Sequence, residues 1–195
     1  FLAGIDGPPR YSIAVTIIAE LGTGLHAAHE ATGPDGASLN LVHRDVSPSN
    51  VLLGRHGEIK LADFGVAKAR SRSYHTMSGT IKGKAAYMAP EQILGEPLDR
   101  RTDVFALGVL LFEVATRTRL YSGLADAQAM KSILGGVLPD PAERRPGFPP
   151  ALASIIRKAT ARDREQRYAT TAEVVADLDA AARRPLLFRL VSARQ

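Results

Sequence analysis

The sequence predicts a mainly α-helical domain with a few short β-strands, and three observations carry that expectation. Ile13, Ile17, Leu21, Leu25 and Ala28 recur at spacings of three and four, an apolar stripe on one face of a helix over 13–31. The stretch 103–115 is apolar nearly all round, as a buried central helix should be. Three short apolar runs, 39–42, 51–53 and 58–61, have strand length and lie between turn residues.

Taken in order, Gly33-Pro34-Asp35-Gly36 ends the first helix with turn chemistry, and His56-Gly57 makes a hairpin between the last two strands. Over 67–86 the periodicity is lost, which reads as a long loop carrying Ser71, Ser73, Tyr74, Thr76, Ser78 and Thr80. A loop of that length inside a compact domain is usually functional. Helices are expected at 103–115, 126–134, 151–161 and 171–182, the last opened by Thr170 and Glu173 at capping-box spacing. The proline-rich stretches 139–141 and 146–150 are joints between helices. One domain over 1–182 is expected, followed by a basic and apolar tail over 183–195.

Composition sets outer limits. At 195 residues, 45% hydrophobic and 23% charged, the chain is an ordinary globular sequence. The absence of cysteine excludes disulfide scaffolds and cysteine-ligated zinc. A net charge of +5 is only a weak pointer to phosphate-bearing partners. The longest apolar run, 104–112, stops at Glu113 and is too short to span a bilayer. No membrane segment and no nucleic-acid partner are expected, and a cytoplasmic location is.

The residues that carry chemistry stand in a definite order. Val42-His43-Arg44-Asp45-Val46-Ser47-Pro48-Ser49-Asn50 lies between two expected strands, and Asp63-Phe64-Gly65 follows directly after another. Ala89-Pro90-Glu91, then Asp103 opening the apolar helix, then Arg167 complete the set. In that order and context they resemble the C-terminal lobe of a eukaryotic-like protein kinase, most similar to bacterial serine/threonine kinases. The resemblance covers about 13–182.

The resemblance implies ATP and Mg²⁺ as cofactors, with Asn50 and Asp63 as hard-oxygen magnesium ligands. Asp45 would accept or orient the proton of the substrate hydroxyl. Leu52 would pack beneath the adenine, while His43 and Phe64 would stack in a hydrophobic spine beside Gly65. Asp103 would hold the catalytic-loop backbone, and Glu91 would pair with Arg167. Arg44 is expected to bind a phosphorylated activation loop, with Thr80 as the phosphosite and Ser78 and Thr76 as alternatives. The partner is a protein with an acceptor serine or threonine, autophosphorylation included. Lys68 has no assigned role. His26 and His29 read as packing residues rather than metal ligands. Gly22-Thr23-Gly24 and the Walker-like 79–84 lack the context of a nucleotide fingerprint.

Two features depart from the family pattern. No Gly-rich loop and no lysine-bearing strand precede residue 13, so the chain reads as a C-terminal lobe without its N-terminal lobe, inactive or nearly so alone. Serine/threonine kinases usually carry a Lys two residues after the catalytic Asp, and a Thr five residues before the Ala of Ala-Pro-Glu. Those positions hold Ser47 and Lys84. The expectation is that cation and hydroxyl are exchanged, with Lys84 reaching Asp45 and Ser47 holding it. The alternatives are a non-catalytic kinase-like binding module and a tyrosine kinase. The latter is disfavoured because no Arg lies between Asp45 and Asn50.

Overall fold

The computed structural model describes residues 11–64 and 84–183. In chain order these form α1 (Tyr11–His29), β1 (Val51–Leu53), β2 (Ile59–Leu61), α2 (Pro90–Leu94), α3 (Arg101–Thr116), α4 (Asp126–Leu134), α5 (Pro141–Arg144), α6 (Pro150–Ala159) and α7 (Thr171–Ala182). Short 3₁₀ turns occupy Pro48–Asn50, Ala85–Tyr87 and Arg164–Gln166. The architecture is mostly helical, and among the described residues the sheet is one antiparallel pair with Val51 opposite Leu61 and Leu53 opposite Ile59.

The apolar α3 is the centre of the fold. Val104, Leu107, Val109, Leu111 and Phe112 are all fully buried, so no face of the helix is left for water. It packs against α1, α6 and α7. Two glycines set how close those helices come. A methyl at Gly108 would lie 2.7 Å from Ala159 Cβ and 2.8 Å from Thr160 Cγ2, and one at Gly22 would lie 2.8 Å from Val175 Cγ2. Small residues at such crossings let backbones approach, and nothing larger fits without separating the helices.

Several expectations are corrected. The segment 39–42 is not a strand: among the described residues no strand pairs with it, and Leu39 is exposed. It is an irregular link into the loop 43–50: Asn40 is left-handed at φ +46°, and Leu39 N donates to the Ala31 carbonyl at 2.9 Å, next to the isolated bridge Thr32–Ser38 around the Gly33–Gly36 turn. The first helix already ends at His29, before that turn. The loop expected over 67–86 closes earlier, because Ala85–Tyr87 is a 3₁₀ turn. The short α2 and α5 carry too few residues for periodicity to reveal them. At α7, Thr170 Oγ1 accepts from Glu173 N at 3.3 Å, while the Glu173 carboxylate accepts from Ala169 N at 3.1 Å. Residues Lys68, Thr76, Ser78, Thr80, Gly65 and the tail beyond 183 lie outside the described residues. Among those described, no helix is long and apolar enough to cross a membrane.

One buried ion pair ties α2 to the turn before α7. Arg167 grips Glu91 in a two-pronged bond, Nη1 to Oε1 at 2.7 Å and Nη2 to Oε2 at 2.8 Å. The remaining guanidinium hydrogens reach the carbonyls of Ala161, Arg101 and Arg162, and Thr102 Oγ1 donates to Glu91 Oε1. Every donor of the guanidinium is used, which is the condition for burying such a pair without large loss. Burial pushes the Glu91 carboxyl up, but the Arg167 bonds and charge outweigh it and hold it below its ordinary value.

Two outcomes are expected. Gly108→Ala should lower stability by about 1–3 kcal/mol through the forced α3–α6 separation, whereas Gly24→Ala, with nothing within 4 Å, should raise it by about 0.5–1 kcal/mol; urea midpoints read both. Because the folded Glu91 pKa is depressed, the pair's stabilisation is present above the ordinary value of 4.5 and is lost as pH falls below it. Glu91→Gln should therefore cost about 3–5 kcal/mol at pH 7 and give a shallower fall in urea midpoint with acid than the parent.

Candidate active site

The candidate catalytic loop, residues 43–50, is assembled from its backbone outward. Asp103, in the first turn of α3 and 1% exposed, accepts from His43 N at 2.8 Å through Oδ2 and from Arg44 N at 2.9 Å through Oδ1. Oδ2 also takes His29 Nε2 at 2.8 Å, from the last turn of α1. Three elements meet on one carboxylate. Held this way, Arg44 sits at φ +68°, a left-handed conformation that a non-glycine residue adopts only when its surroundings impose it. Its carbonyl accepts from Gln92 Nε2 at 2.9 Å, which anchors α2 to the same loop.

His43 then couples the loop to the segment after β2. Its ring is fully buried, accepting from Asp45 N at Nδ1 (3.3 Å) and donating from Nε2 to the Ala62 carbonyl (3.0 Å). That pattern requires the neutral tautomer with its proton on Nε2. Burial pushes the imidazole pKa below its ordinary value, in keeping with a neutral ring, although the Asp103 charge opposes it. Phe64 lies with its ring centroid 4.6 Å from that of His43. Asp63, beside it, is exposed and also left-handed, at φ +58°.

The polar side chains of the loop converge on Asp45. Asn50 donates from Nδ2 to the Asp45 carbonyl at 2.7 Å. Its amide oxygen accepts only a long bond from Ser49 Oγ, at 3.5 Å, and is the hard-oxygen donor it can offer a ligand. Lys84, 39 residues further on, places Nζ 2.9 Å from Asp45 Oδ2. The Asp45 side chain is 15% exposed and that of Lys84 32%, so the pair is partly sheltered from water. Ser47 is different. Its hydroxyl is buried and bonded to Ser49 Oγ at 3.0 Å, not to Lys84, because the side chain turns back into the loop.

On β1 Leu52 is 54% exposed and Leu53 is exposed too, while Val51 is buried in the core. Asn50 and Asp63 suit magnesium by donor type: both offer hard oxygens, and the metal's other positions are normally filled by water and phosphate oxygens. Among the described residues no group of three or more His, Asp or Glu side chains is arranged to hold a metal.

Residue-level reading missed four contributors. His29 is a buried partner of Asp103 rather than a plain packing residue. Gln92 bridges α2 to the catalytic loop. Tyr87 donates to Glu113 Oε2 at 2.7 Å, and Glu113 Oε1 accepts from Leu120 N at 3.0 Å. Burial drives both the Tyr87 hydroxyl and the Glu113 carboxyl above their ordinary values. The only sequence signal for this last pair is an acidic residue interrupting the apolar run of α3.

Comparison with known proteins adds a second line. The chain is 47% identical over 165 residues to the tyrosine-protein kinase MasK of Myxococcus xanthus, covering 85% of this chain and 25% of that protein. It is 37% identical over 177 residues to the serine/threonine-protein kinase PknL of Mycobacterium tuberculosis, covering 90% and 42%. With the serine/threonine-protein kinase PknB of Mycolicibacterium smegmatis the identity is 33% over 176 residues, covering 89% and 27%. The chain thus spans between a quarter and about two fifths of the length of these relatives. The family model described as the protein kinase domain matches residues 10–177. That match takes in every polar contact gathered on Asp45 and Asp103, and the chain belongs to the protein kinase domain family.

Proposed function

We propose that this chain carries the phosphoryl-transfer machinery of a protein serine/threonine kinase, acting with ATP and Mg²⁺ on a protein hydroxyl. The observation that supports it most is the grouping on Asp45: a carboxylate ion-paired to Lys84, with Asn50 bonded to the Asp45 carbonyl. Asp45 is the acceptor for the proton of the substrate hydroxyl, and the Lys84 contact orients its carboxylate through Oδ2. Asn50 and Asp63 would hold the magnesium, which when bound would offset charge on the phosphate oxygens. Leu52 offers an exposed apolar side chain to the adenine. The backbone bonds from Asp103 keep the loop from relaxing, so little reorganisation is needed at the moment of transfer.

Arg44 is the candidate receptor for a phosphorylated activation segment. Its Nε is buried and without a hydrogen-bond partner, an unusual state for a guanidinium nitrogen. A phosphate on Thr80, with Ser78 or Thr76 as alternatives, would supply the missing acceptor oxygens.

A tyrosine acceptor is the second reading. It is favoured by the name of the 47% identical relative and by Ser47, which stands where the serine/threonine pattern has Lys. Phosphoamino-acid analysis of the complete gene product, given Mg-ATP and peptides offering only Ser, Thr or Tyr, separates the two. Label on Ser or Thr is expected. Label confined to Tyr assigns the second reading, and no ATP-dependent label on any of them removes the kinase proposal.

Asp45→Asn in that protein should lower turnover by about 10²–10⁴-fold, the range of positioned acid–base groups. Thr80→Ala should slow the parent but leave an Arg44→Gln variant no slower, since both remove one interaction. Independent, additive losses would count against the Arg44–phosphate pairing.

A further inference from the structure

We infer that Lys84 supplies the positive charge facing the transferring phosphoryl group, delivered to Asp45 from outside the catalytic loop. The inference rests on the kinase reading above and concerns which residue meets the charge problem of that reaction. Phosphoryl transfer gathers negative charge on the moving group while a carboxylate, itself negative, stands beside the attacking hydroxyl. A cation placed there offsets both. Within the loop 43–50 the residues are His43, Arg44, Asp45, Val46, Ser47, Pro48, Ser49 and Asn50. His43 is held neutral by its two hydrogen bonds, and Arg44 has a buried Nε with no hydrogen-bond partner. Ser47 spends its hydroxyl on Ser49. The ammonium at the carboxylate is that of Lys84, 2.9 Å from Oδ2. Its three hydrogens allow one bond to Asp45 and others to phosphate oxygens.

The position of Lys84 is built rather than incidental. It immediately precedes the 3₁₀ turn Ala85–Tyr87, and Ala85 is fully buried. The turn is tied to α3 by the Tyr87–Glu113 bond at 2.7 Å. Five residues past the turn, Gln92 closes the other side: its Oε1 accepts from Ala89 N, and its Nε2 donates to the Arg44 carbonyl inside the catalytic loop. The segment that carries the cation is thereby registered to the loop that carries the base. Tyr87, Glu113 and Gln92 act as positioning residues for Lys84.

The rival explanation is that Lys84 only staples the two segments together, and charge chemistry separates the two. Lys84→Cys in the complete gene product gives a thiol, the only one within these 195 residues, that 2-bromoethylamine alkylates. The thiolate displaces bromide, forms a thioether and restores an ammonium at nearly the original length. The cysteine variant should lose on the order of 10²–10³-fold in kcat with KM for ATP within about threefold, and alkylation should recover at least tenfold. The parent treated with the same reagent is the control. Isothermal titration supplies a readout apart from turnover. Mg-ADP alone should bind parent and variant alike, whereas Mg-ADP with aluminium fluoride, a mimic of the transferring group, should bind the variant about 10²-fold more weakly. Ser47→Lys with Lys84→Thr should regain activity that Lys84→Thr alone lacks.

Turnover within a few-fold of the parent overturns the inference, as does a loss that alkylation does not repair. Comparing modified with unmodified Lys84→Cys uses one folded protein, so impaired folding cannot mimic rescue. Asp45→Asn distinguishes the two levels. If it is inactive while Lys84→Cys is normal, only the role of Lys84 fails; if it is as active as the parent, the kinase reading fails and this inference with it.

Discussion

Asp103 is a buried carboxylate on the most buried helix of the molecule, and it carries three hydrogen-bond donors from two other parts of the chain. A carboxylate moved away from water is costly unless its oxygens are satisfied. Here the satisfaction comes from the backbone of His43 and Arg44 and from His29 on α1. The same bonds that make the burial tolerable force the chain into the left-handed turn at Arg44 and so aim Asp45 outward. The geometry of the site is thus a by-product of solving a desolvation problem in the core.

A second constraint works in the same way at the start of α2. Glu91 and Arg167 satisfy each other so fully that the guanidinium has no hydrogen left over. Replacing such a pair by apolar residues is often harmless to stability, so its presence points to register rather than strength. It fixes where α2 begins, hence where Gln92 reaches the catalytic loop. Core helices, ion pair and loop form one mechanically continuous unit.

How much of this was legible depended on the range of the interactions. The helices over 126–134 and 171–182 and the strand over 51–53 have the limits that the pattern implies, because apolar period and caps are local. The segment 39–42 was misread because an apolar run states only that its side chains prefer shelter. Whether a neighbouring strand exists to pair with it is a tertiary matter. His29 could not be told from a packing histidine, since its partner lies 74 residues away. Tyr87, Glu113 and Gln92 were invisible for the same reason. Lys84 was legible only through its departure from a family pattern, and Ser47 showed how such a comparison can err: the position was noticed, but its side chain turns inward to Ser49.

The left-handed backbones at Arg44 and Asp63 have a consequence for how the molecule gives way. Each such conformation stores about 1–3 kcal/mol that neighbours must continually withhold from release. Once the bonds to Asp103 and from His43 break, the loop and the segment after β2 gain by leaving these conformations, a local opening that precedes melting of the helices. Amides of the exposed Asp63 and Phe64 are expected to exchange sooner than those of the buried α3. In mild urea the site would lose its shape while circular dichroism still reported an intact helical body.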